Sequence, residues 1–380
     1  MMKSKNVLMI AGEVSGDLHG ASLIRELKRI NGSLKIFGIG GDKMQVEGME
    51  LIYHIDKMAF LGFVEVIKHL PFINKVKSDL IEEVKKRNVQ EVVLIDYPGF
   101  NLNIAKKLKK LNLKLIYYIS PQVWAWGKAR VKKIKDYFQK VLVVFPFEEK
   151  FFKTRGVDAI FVGHPLIKEI SGYNFLSREQ LYSKFGLNSD KGILLILPGS
   201  RKQEVKSIFP EAINAAIKLA SEFNLQIVVA CSSNIDDKIF YELSDNGDFL
   251  VIKDHTYDLL KYAKFGIIKS GTSTLEAGLM QLPMIIVYKT SKITYAIGKL
   301  LVKIKNIGLA NIVLDEKVVP ELIQYQASAD KIYYEARQIL SDKLLCEKIK
   351  NKLGGIKQIL GEEDAPKNAA RIIYSLLNEY

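Results

Sequence analysis

The turn at residues 270–276, SGTSTLE, has the residue types of an anion-binding site. It follows the apolar run 265–268 and precedes a helical pattern and a second apolar run, 284–288, which predicts a strand–turn–helix–strand unit. Open α/β sheets bind ligands at the carboxyl ends of their strands, where the next helix offers free N–H groups. One turn into that helix, a carboxylate could bind a ribose diol. The candidate ligand-binding residues are Ser270, Gly271, Thr272, Ser273 and Glu276.

The same turn also has a purely structural interpretation. Ser273 and Glu276 have the spacing of a capping box, in which a hydroxyl and a carboxylate satisfy backbone donors at a helix start. The residues of the turn are consistent with both interpretations.

The turn at residues 198–201, PGSR, follows an apolar run and raises the same choice. Gly199 permits a tight turn, and Arg201 could bind a pyrophosphate through its planar guanidinium group. Ser200 and Gln203 again have capping-box spacing, which would explain Ser200 and leave Arg201 unexplained.

Asp96 directly follows the apolar run 92–95 and precedes a proline-containing loop. A carboxylate at the carboxyl end of a strand could remove a proton from a sugar hydroxyl. A turn or a helix cap would use the same residue type, so both interpretations remain open.

The N-terminal turn, residues 12–20, combines glycines with three ionisable side chains. Asp17 could cap the following helix, but a turn with no other role seldom needs Glu13 and His19 as well. Acceptor binding is the functional interpretation, with Glu13, Ser15, Gly16, Asp17 and His19 as its candidates. Metal binding is not predicted, because no second histidine or cysteine is suitably spaced.

Residues 118–126 contain both tryptophans of the chain and are followed by basic residues. Gln122 and Trp124 could contribute to a sugar-binding platform, or the aromatic residues could pack at a helix start.

Residues 58–77 contain apolar runs, interspersed with lysines, that are too short to span a membrane. They could form a core helix, a membrane-docking surface with Lys68, Lys75 and Lys77, or an acyl-chain site. The apolar candidates are Phe63, Val66, Ile67, Leu70, Phe72 and Ile73.

Apolar runs alternate with helical patterns along the whole chain, which predicts parallel sheets covered on both faces. The series restarts after residue 165 and has the same strand, turn and helix at its beginning. We therefore expect two Rossmann-like α/β domains facing across a cleft, at residues 1–165 and 166–359. The tail from residue 327 reads as helices with a break at Gly354 and Gly355.

Composition limits the classes of function. The 380 residues carry a net charge of +14, which calls for an anionic partner, but no nucleic-acid-binding motif accompanies it. Cys231 and Cys346 are the only cysteines, which is typical of a reducing cytoplasm. We predict no signal peptide, no spanning helix and, without a G-x-G-x-x-G motif, no dinucleotide cofactor.

The ordered motifs AGEVSGDLHGA, LGFVEV, IDYPGFN, SPQVWAW, FPFEEKF, FVGHPL, ILPGSR, SGTSTLEA and GLANIVLDEKVVPELIQ resemble those of the lipid-A-disaccharide synthase family of Gram-negative bacteria. The resemblance covers essentially the whole chain. It implies an inverting transferase of the GT-B fold that uses no cofactor or metal, with a C-terminal helix, about residues 360–380, that returns to the first domain.

The resemblance implies transfer of 2,3-diacylglucosamine from its UDP derivative to 2,3-diacylglucosamine 1-phosphate. Asp96 matches the proposed general base, Arg201 the nucleotide-binding region, and Asn311 and Gln324 polar positions near the donor. His19 is grouped with Asp96 and Arg201 as a catalytic candidate. The resemblance also implies a cytoplasmic enzyme that is peripheral to the anionic inner membrane, and it leaves open whether the enzyme is a homodimer.

Two alternatives remain at this point. Another GT-B enzyme, such as a UDP-N-acetylglucosamine 2-epimerase or a peptidoglycan glycosyltransferase, would share the nucleotide turn. A non-catalytic, basic, membrane-associated module would account for the charge, but it would need neither Asp96 nor Arg201 at strand ends.

Overall fold

The structure is a computed structural model, in which residues 5–58, 69–244, 247–291, 295 and 305–378 are described. The chain divides into two compact units, which are described separately below. The first unit comprises Met1–Lys168 and Leu360–Tyr380, and the second comprises Glu169–Ile359.

The first unit contains a seven-stranded sheet in which all neighbouring strands pair in parallel, in the order β3-β2-β1-β4-β5-β6-β7. Its strands are β1 Asn6–Ala11, β2 Lys35–Gly40, β3 Glu50–His54, β4 Glu91–Ile95, β5 Lys114–Tyr118, β6 Lys140–Val143 and β7 Ala159–Phe161. The continuous apolar runs of the central strands are buried, as expected of a sheet covered on both faces. The sequence did not predict β3, because this edge strand is only half-buried.

Helices cover both faces of this sheet. The described helices are α1 Val14–Ile30, α2 Asp42–Val46, α3 Leu70–Lys86, α4 Pro98–Lys109, α5 Val123–Trp126, α6 Lys128–Tyr137 and α7 Pro146–Lys153, with a 3-10 turn at Ile55–Lys57. Helix α8, Pro165–Ser171, begins in this unit and ends in the second. The last helix of the chain, Ala365–Leu377, also belongs to this unit, where Ala369 and Ile373 are buried in the same core as Leu23 and Leu27 of α1. The predicted return of the C-terminal helix is therefore confirmed.

The second unit contains a six-stranded parallel sheet in the order β10-β9-β8-β11-β12-β13. Its strands are β8 Gly192–Leu197, β9 Leu225–Cys231, β10 Phe249–Lys253, β11 Ala263–Lys269, β12 Met284–Tyr288 and β13 Glu321–Ile323. The sequence did not predict β13, since three residues are too few to show a pattern.

The described helices of the second unit are α9 Arg178–Phe185, α10 Lys202–Phe223, α11 Lys238–Glu242, α12 Thr256–Tyr262, α13 Thr272–Leu279, α14 Leu309–Val313, α15 Ala329–Ser341 and α16 Lys343–Leu360, with a 3-10 turn at Gln324–Gln326. The predicted break at Gly354 and Gly355 is wrong, because α16 continues through both residues. Leu353 and Ile356 flank the two glycines and are fully buried, so tertiary packing outweighs the low helix propensity of glycine.

In the described part of the chain, no helix is both long enough and apolar enough to cross a bilayer.

Candidate functional site

Each unit has a cavity at the carboxyl ends of its own parallel strands. The cavity of the second unit has a volume of about 560 Å³ and is lined by Gly199, Ser200, Asp254, Lys269, Thr272 and Glu276, among others. The cavity of the first unit has a volume of about 270 Å³ and contains Asp96, Gln122, Arg130 and Glu148. The sequence-predicted residues thus fall into two groups, one for each sheet.

The predicted capping box at Ser273 and Glu276 is wrong. Helix α13 begins at Thr272 with Gly271 as its N-cap, and no side chain of the described residues caps it. The buried Ser270 hydroxyl donates to the Ile307 carbonyl oxygen at 2.8 Å, which fixes the strand end. Because Gly271, Thr272 and Ser273 line the cavity, the uncapped start of the helix is left for a ligand.

The turn at residues 198–201 is tied to the same helix start by an ion pair that the sequence did not predict. Lys269 Nζ lies 2.9 Å from Glu204 Oε1, and Glu204 Oε2 accepts from the Ser200 backbone N–H at 3.1 Å. Residue 199 must be a glycine, because its φ is +119° and a Cβ there would lie 2.4 Å from Glu204 Oε2. The only available signal was the position of Lys269 directly before SGTSTLE.

The second predicted capping box is also wrong. Helix α10 begins at Lys202, one residue beyond the expected start, so that Arg201 itself is the N-cap and Ser200 lies outside the helix. The Arg201 side chain is exposed, and the preceding residue, Ser200, lines the cavity.

Glu276 is a partly buried carboxyl group near Glu169. Burial and the neighbouring charge of Glu169 raise its pKa to about 7. When it is ionised, such a group can accept hydrogen bonds from a diol. When it is protonated, it carries no charge and does not repel a nearby anion.

Asn311 and Gln324 have structural roles in the second unit. The Asn311 amide is fully buried and forms hydrogen bonds with the backbones of Val318 and Val319 and with Glu321 Oε1. The side chain is therefore not accessible to a sugar-donor substrate in this structure. Gln324 bonds to both backbone groups of Thr290. Both amides brace loops of the unit.

Asp96 lies in a turn that the surrounding structure holds in an uncommon conformation. Asp96 has φ +43° and Tyr97 φ +46°. The Asp96 carbonyl oxygen accepts from Asn101 Nδ2 and from the Tyr117 hydroxyl, both at 2.7 Å. Burial, together with the charge of Glu13, raises the pKa of the Asp96 carboxyl to about 6. A carboxylate with this pKa is ionised at neutral pH and is more basic than an ordinary aspartate.

The N-terminal turn contains both structural and accessible residues. Helix α1 begins at Val14, so Asp17 does not cap it. Instead, Asp17 is buried and accepts three backbone N–H bonds, from Gly41, Lys43 and Met44 at the start of α2. A substrate-binding role for Asp17 is therefore not supported.

The remaining residues of that turn differ in accessibility. Gly16 is buried, and a Cβ there would lie 3.2 Å from the Ala11 Cβ, so glycine allows close packing. Glu13 and Ser15 are exposed. Burial lowers the pKa of His19 to about 4 and that of the nearby His164 to about 3, so both imidazoles are neutral near pH 7.

The aromatic segment combines the two proposed roles. Trp124 is half-buried and packs edge-to-face against Phe147, with ring centroids 5.1 Å apart, while its Nε1 donates to Glu148 Oε1 at 3.0 Å. Gln122 is exposed and lines the Asp96 cavity. Packing therefore explains Trp124, and Gln122 remains available to a ligand.

The predicted membrane or acyl segment is only partly described. Phe63, Val66, Ile67 and Lys68 lie outside the described residues. Leu70 begins α3 and is 45% exposed, whereas Phe72 and Ile73 pack against the core of the first unit. The inclusion of Lys77 among surface charges is wrong, because this residue is 5% exposed and its pKa is lowered by burial.

The architecture is the GT-B fold. A UDP-GlcNAc 2-epimerase from Neisseria meningitidis solved with UDP-GlcNAc has a TM-score of 0.64 at 14% identity, with 99% of this chain and 100% of that chain covered. The calicheamicin glycosyltransferase CalG4 has a TM-score of 0.60 at 15% identity, with 100% and 99% covered.

Sequence similarity is more specific than the fold. A family model described as lipid-A-disaccharide synthetase matches residues 7–372. Lipid-A-disaccharide synthases of Geobacter sulfurreducens and Coxiella burnetii are each 38% identical, with 99% of this chain and 98% and 100% of those proteins covered. The chain belongs to the lipid-A-disaccharide synthase family and is a glycosyltransferase. The family match favours this activity over the epimerase and the non-catalytic module.

Proposed function

We propose that this glycosyltransferase transfers 2,3-diacylglucosamine from UDP-2,3-diacylglucosamine to 2,3-diacylglucosamine 1-phosphate. The products are the β-1′,6-linked disaccharide 1-phosphate and UDP. Family membership supports the reaction class. The observation that carries the mechanism is the raised pKa of Asp96 in a cavity at a strand end.

Asp96 acts as the general base. Its carboxylate accepts the proton of the acceptor 6-hydroxyl while that oxygen attacks the anomeric carbon of the donor and the bond to UDP breaks. Direct displacement inverts the anomeric centre. A pKa of about 6 leaves Asp96 ionised at neutral pH and makes it a stronger base than an unperturbed aspartate.

The cavity of the second unit holds the departing UDP. The N–H groups at the start of α13, together with Lys269 and Arg201, supply positive charge for the diphosphate, and Glu276 accepts from the ribose diol. These groups stabilise the negative charge that develops on the leaving group.

The decisive experiment incubates the protein with both monosaccharide substrates and measures disaccharide 1-phosphate and UDP by mass spectrometry. We expect equimolar products that require the acceptor. UDP-N-acetylglucosamine converted without an acceptor would instead indicate an epimerase, and the absence of turnover with either substrate would contradict both enzymatic assignments.

We further propose that the first unit binds the anionic surface of the inner membrane from the cytoplasmic side. Residues 98–135 contain ten lysines and arginines and no acidic residue. The exposed lysines of α4 and α6 lie opposite the buried faces of these two contacting helices. Each lysine near an anionic surface contributes about 1 kcal/mol. The exposed Leu70 adds an apolar contact.

The membrane proposal predicts that the triple variant Lys106→Glu, Lys107→Glu and Lys109→Glu loses at least tenfold of its affinity for vesicles containing anionic lipid, while its product formation from detergent-solubilised substrates is retained. Co-sedimentation with vesicles measures the affinity. The matched control reverses Lys343, Lys348 and Lys357 on α16 in the second unit. Equal losses in both variants would indicate a response to net charge alone and contradict this surface.

A further inference from the structure

Glu148 is a buried carboxylic acid in the wall of the Asp96 cavity. It is the third residue of α7 and is 1% exposed. Both carboxyl groups line the same cavity, and Arg130 is a third ionisable group there. A carboxylate removed from water must be compensated by a cation or by several donors, and without them the protonated form is favoured.

The hydrogen bonds of Glu148 leave half of the carboxyl group unsatisfied. Trp124 Nε1 donates to Oε1 at 3.0 Å, whereas Oε2 has no partner of normal geometry among the described residues. The neighbouring Ser120 hydroxyl is buried and close to the Glu148 carboxyl group, but it also lacks a hydrogen bond of normal geometry among the described residues. Burial raises the pKa of Glu148 to about 8, although the Trp124 donor, nearby backbone N–H groups and the Ser120 hydroxyl lower it. At neutral pH the group is therefore mostly uncharged.

The contact with Trp124 connects Glu148 to a loop that also lines the cavity. The 119–124 loop comprises residues 119–122, which lead from β5 to α5, and the first two residues of α5. Ile119, Ser120, Pro121 and Gln122 all line the cavity. Ile119 has φ +57°, which is an outlier for a β-branched residue. A loop with this strain keeps its conformation only while surrounding contacts hold it.

The other ionisable groups near α7, Glu149 and His164, contact residues other than Glu148. Glu149 forms an ion pair with Lys153 and accepts from the Phe161 N–H. The His164 ring packs on Phe145, with centroids 4.9 Å apart, and is neutral. Asp96 and Arg130 are the ionisable groups that share the cavity with Glu148.

We propose that Glu148 is a positioning residue that holds the 119–124 loop in its acceptor-binding conformation only while it is an uncharged acid. The inference rests on the proposed function, since it assigns the Asp96 cavity to the acceptor. Once ionised, the buried carboxylate requires water or a cation, and the contact with Trp124 and the adjoining wall rearrange. The acceptor site is then lost while the donor site of the second unit is unaffected.

The test compares the pH dependence of the wild type with that of Glu148→Gln, which retains the shape and the acceptor atom for Trp124 but cannot ionise. For a group of pKa about 8, the uncharged fraction falls about tenfold between pH 7 and pH 9. We expect the wild-type kcat/KM for the acceptor to fall by this factor, and that of Glu148→Gln to stay constant. At pH 7 the variant should retain activity within about threefold of the wild type, and both should lose activity below pH 6, where Asp96 is protonated.

Glu149→Gln is the matched control, because it changes the next residue of the same helix and should keep the wild-type profile. Glu148→Ala should raise the KM for the acceptor at least tenfold without changing the Kd of UDP. An alkaline decline of equal size in Glu148→Gln, or its complete inactivity at pH 7, would overturn the proposal.

A second readout does not depend on the reaction. The tryptophans of the chain are Trp124 and Trp126, and the wild-type tryptophan emission should show a transition near pH 8 that Glu148→Gln lacks. If the transition is present but no disaccharide forms, the proposed function is contradicted, whereas the pH-dependent positioning of the loop by Glu148 is supported. A transition shared by both proteins would contradict the role of Glu148 itself.

Discussion

The two strand-end sites build their turns from different residues. In the second unit, the left-handed conformation after β8 falls on Gly199, and of the described strand ends at this cavity only the one after β10 has a non-glycine residue there, Asp254 with φ +62°. In the first unit, the corresponding turns after β4 and β5 place Asp96, Tyr97 and Ile119 in the left-handed region, at a cost of about 1 kcal/mol or more each.

The difference follows from what each turn must present. An anion can be bound by backbone N–H groups, and at Gly199 a side chain would collide with the Glu204 carboxylate. The proposed proton transfer needs a carboxylate at this position, so glycine cannot replace Asp96. Bonds from Asn101 and Tyr117 to its carbonyl oxygen hold the strained conformation in place.

The largest expected effect separates the two sites. Asp96→Asn should lower kcat by at least about a thousandfold, because the amide cannot accept the proton, and should leave the Kd of UDP within about twofold. Steady-state kinetics and isothermal titration calorimetry provide the two measurements. Near-normal turnover would remove Asp96 as the base, and a lost affinity for UDP would contradict the division of roles.

The same substitution should stabilise the protein. The pKa of Asp96 is raised to about 6 from a usual 3.8, so the folded state disfavours the ionised form, and neutral pH weakens the wild type by up to about 3 kcal/mol. Asparagine removes this penalty. The gain should be largest above pH 6 and vanish below about pH 4, where the acid is protonated in both states. Denaturant unfolding measures it, with Asp136→Asn on an exposed helix face as the control.

A smaller effect is expected at the Lys269–Glu204 ion pair in the second unit, where we propose that UDP binds. Lys269→Met removes a cation from the cavity and leaves Glu204 unpaired, which should raise the Kd of UDP about tenfold. Lys289→Met breaks the pair of Lys289 with Glu211 and is the matched control, with an unchanged Kd expected. An unaltered affinity in Lys269→Met would indicate that backbone donors alone bind the diphosphate.

The alternation of apolar runs with helical patterns was sufficient to predict both parallel sheets. A continuous apolar run such as β8 is stable mainly as a strand that is buried on both faces of a sheet. Helix starts were harder to predict. Ser273 and Glu276 satisfy the spacing of a capping box, yet glycine supplies the N-cap, since spacing does not determine backbone conformation.

Buried polar residues were the main errors at the site. Asp17 and Asn311 occur within motifs, but their partners, Gly41 and Val319 among them, come from other segments of the chain. Lys269 and Glu148 were missed for the same reason, because their importance arises only when Glu204 and Trp124 are brought beside them.

The position of the last helix has a consequence for synthesis on the ribosome. The segment Glu169–Ile359 is continuous and can fold as soon as it emerges, whereas the first unit waits for Ala365–Leu377 to cover Leu23 and Leu27. At about 5–20 residues per second, the intervening 191 residues leave that apolar surface exposed for about 10–40 seconds. The nascent chain is therefore a natural client for chaperones at its N-terminal half, although that half is made first.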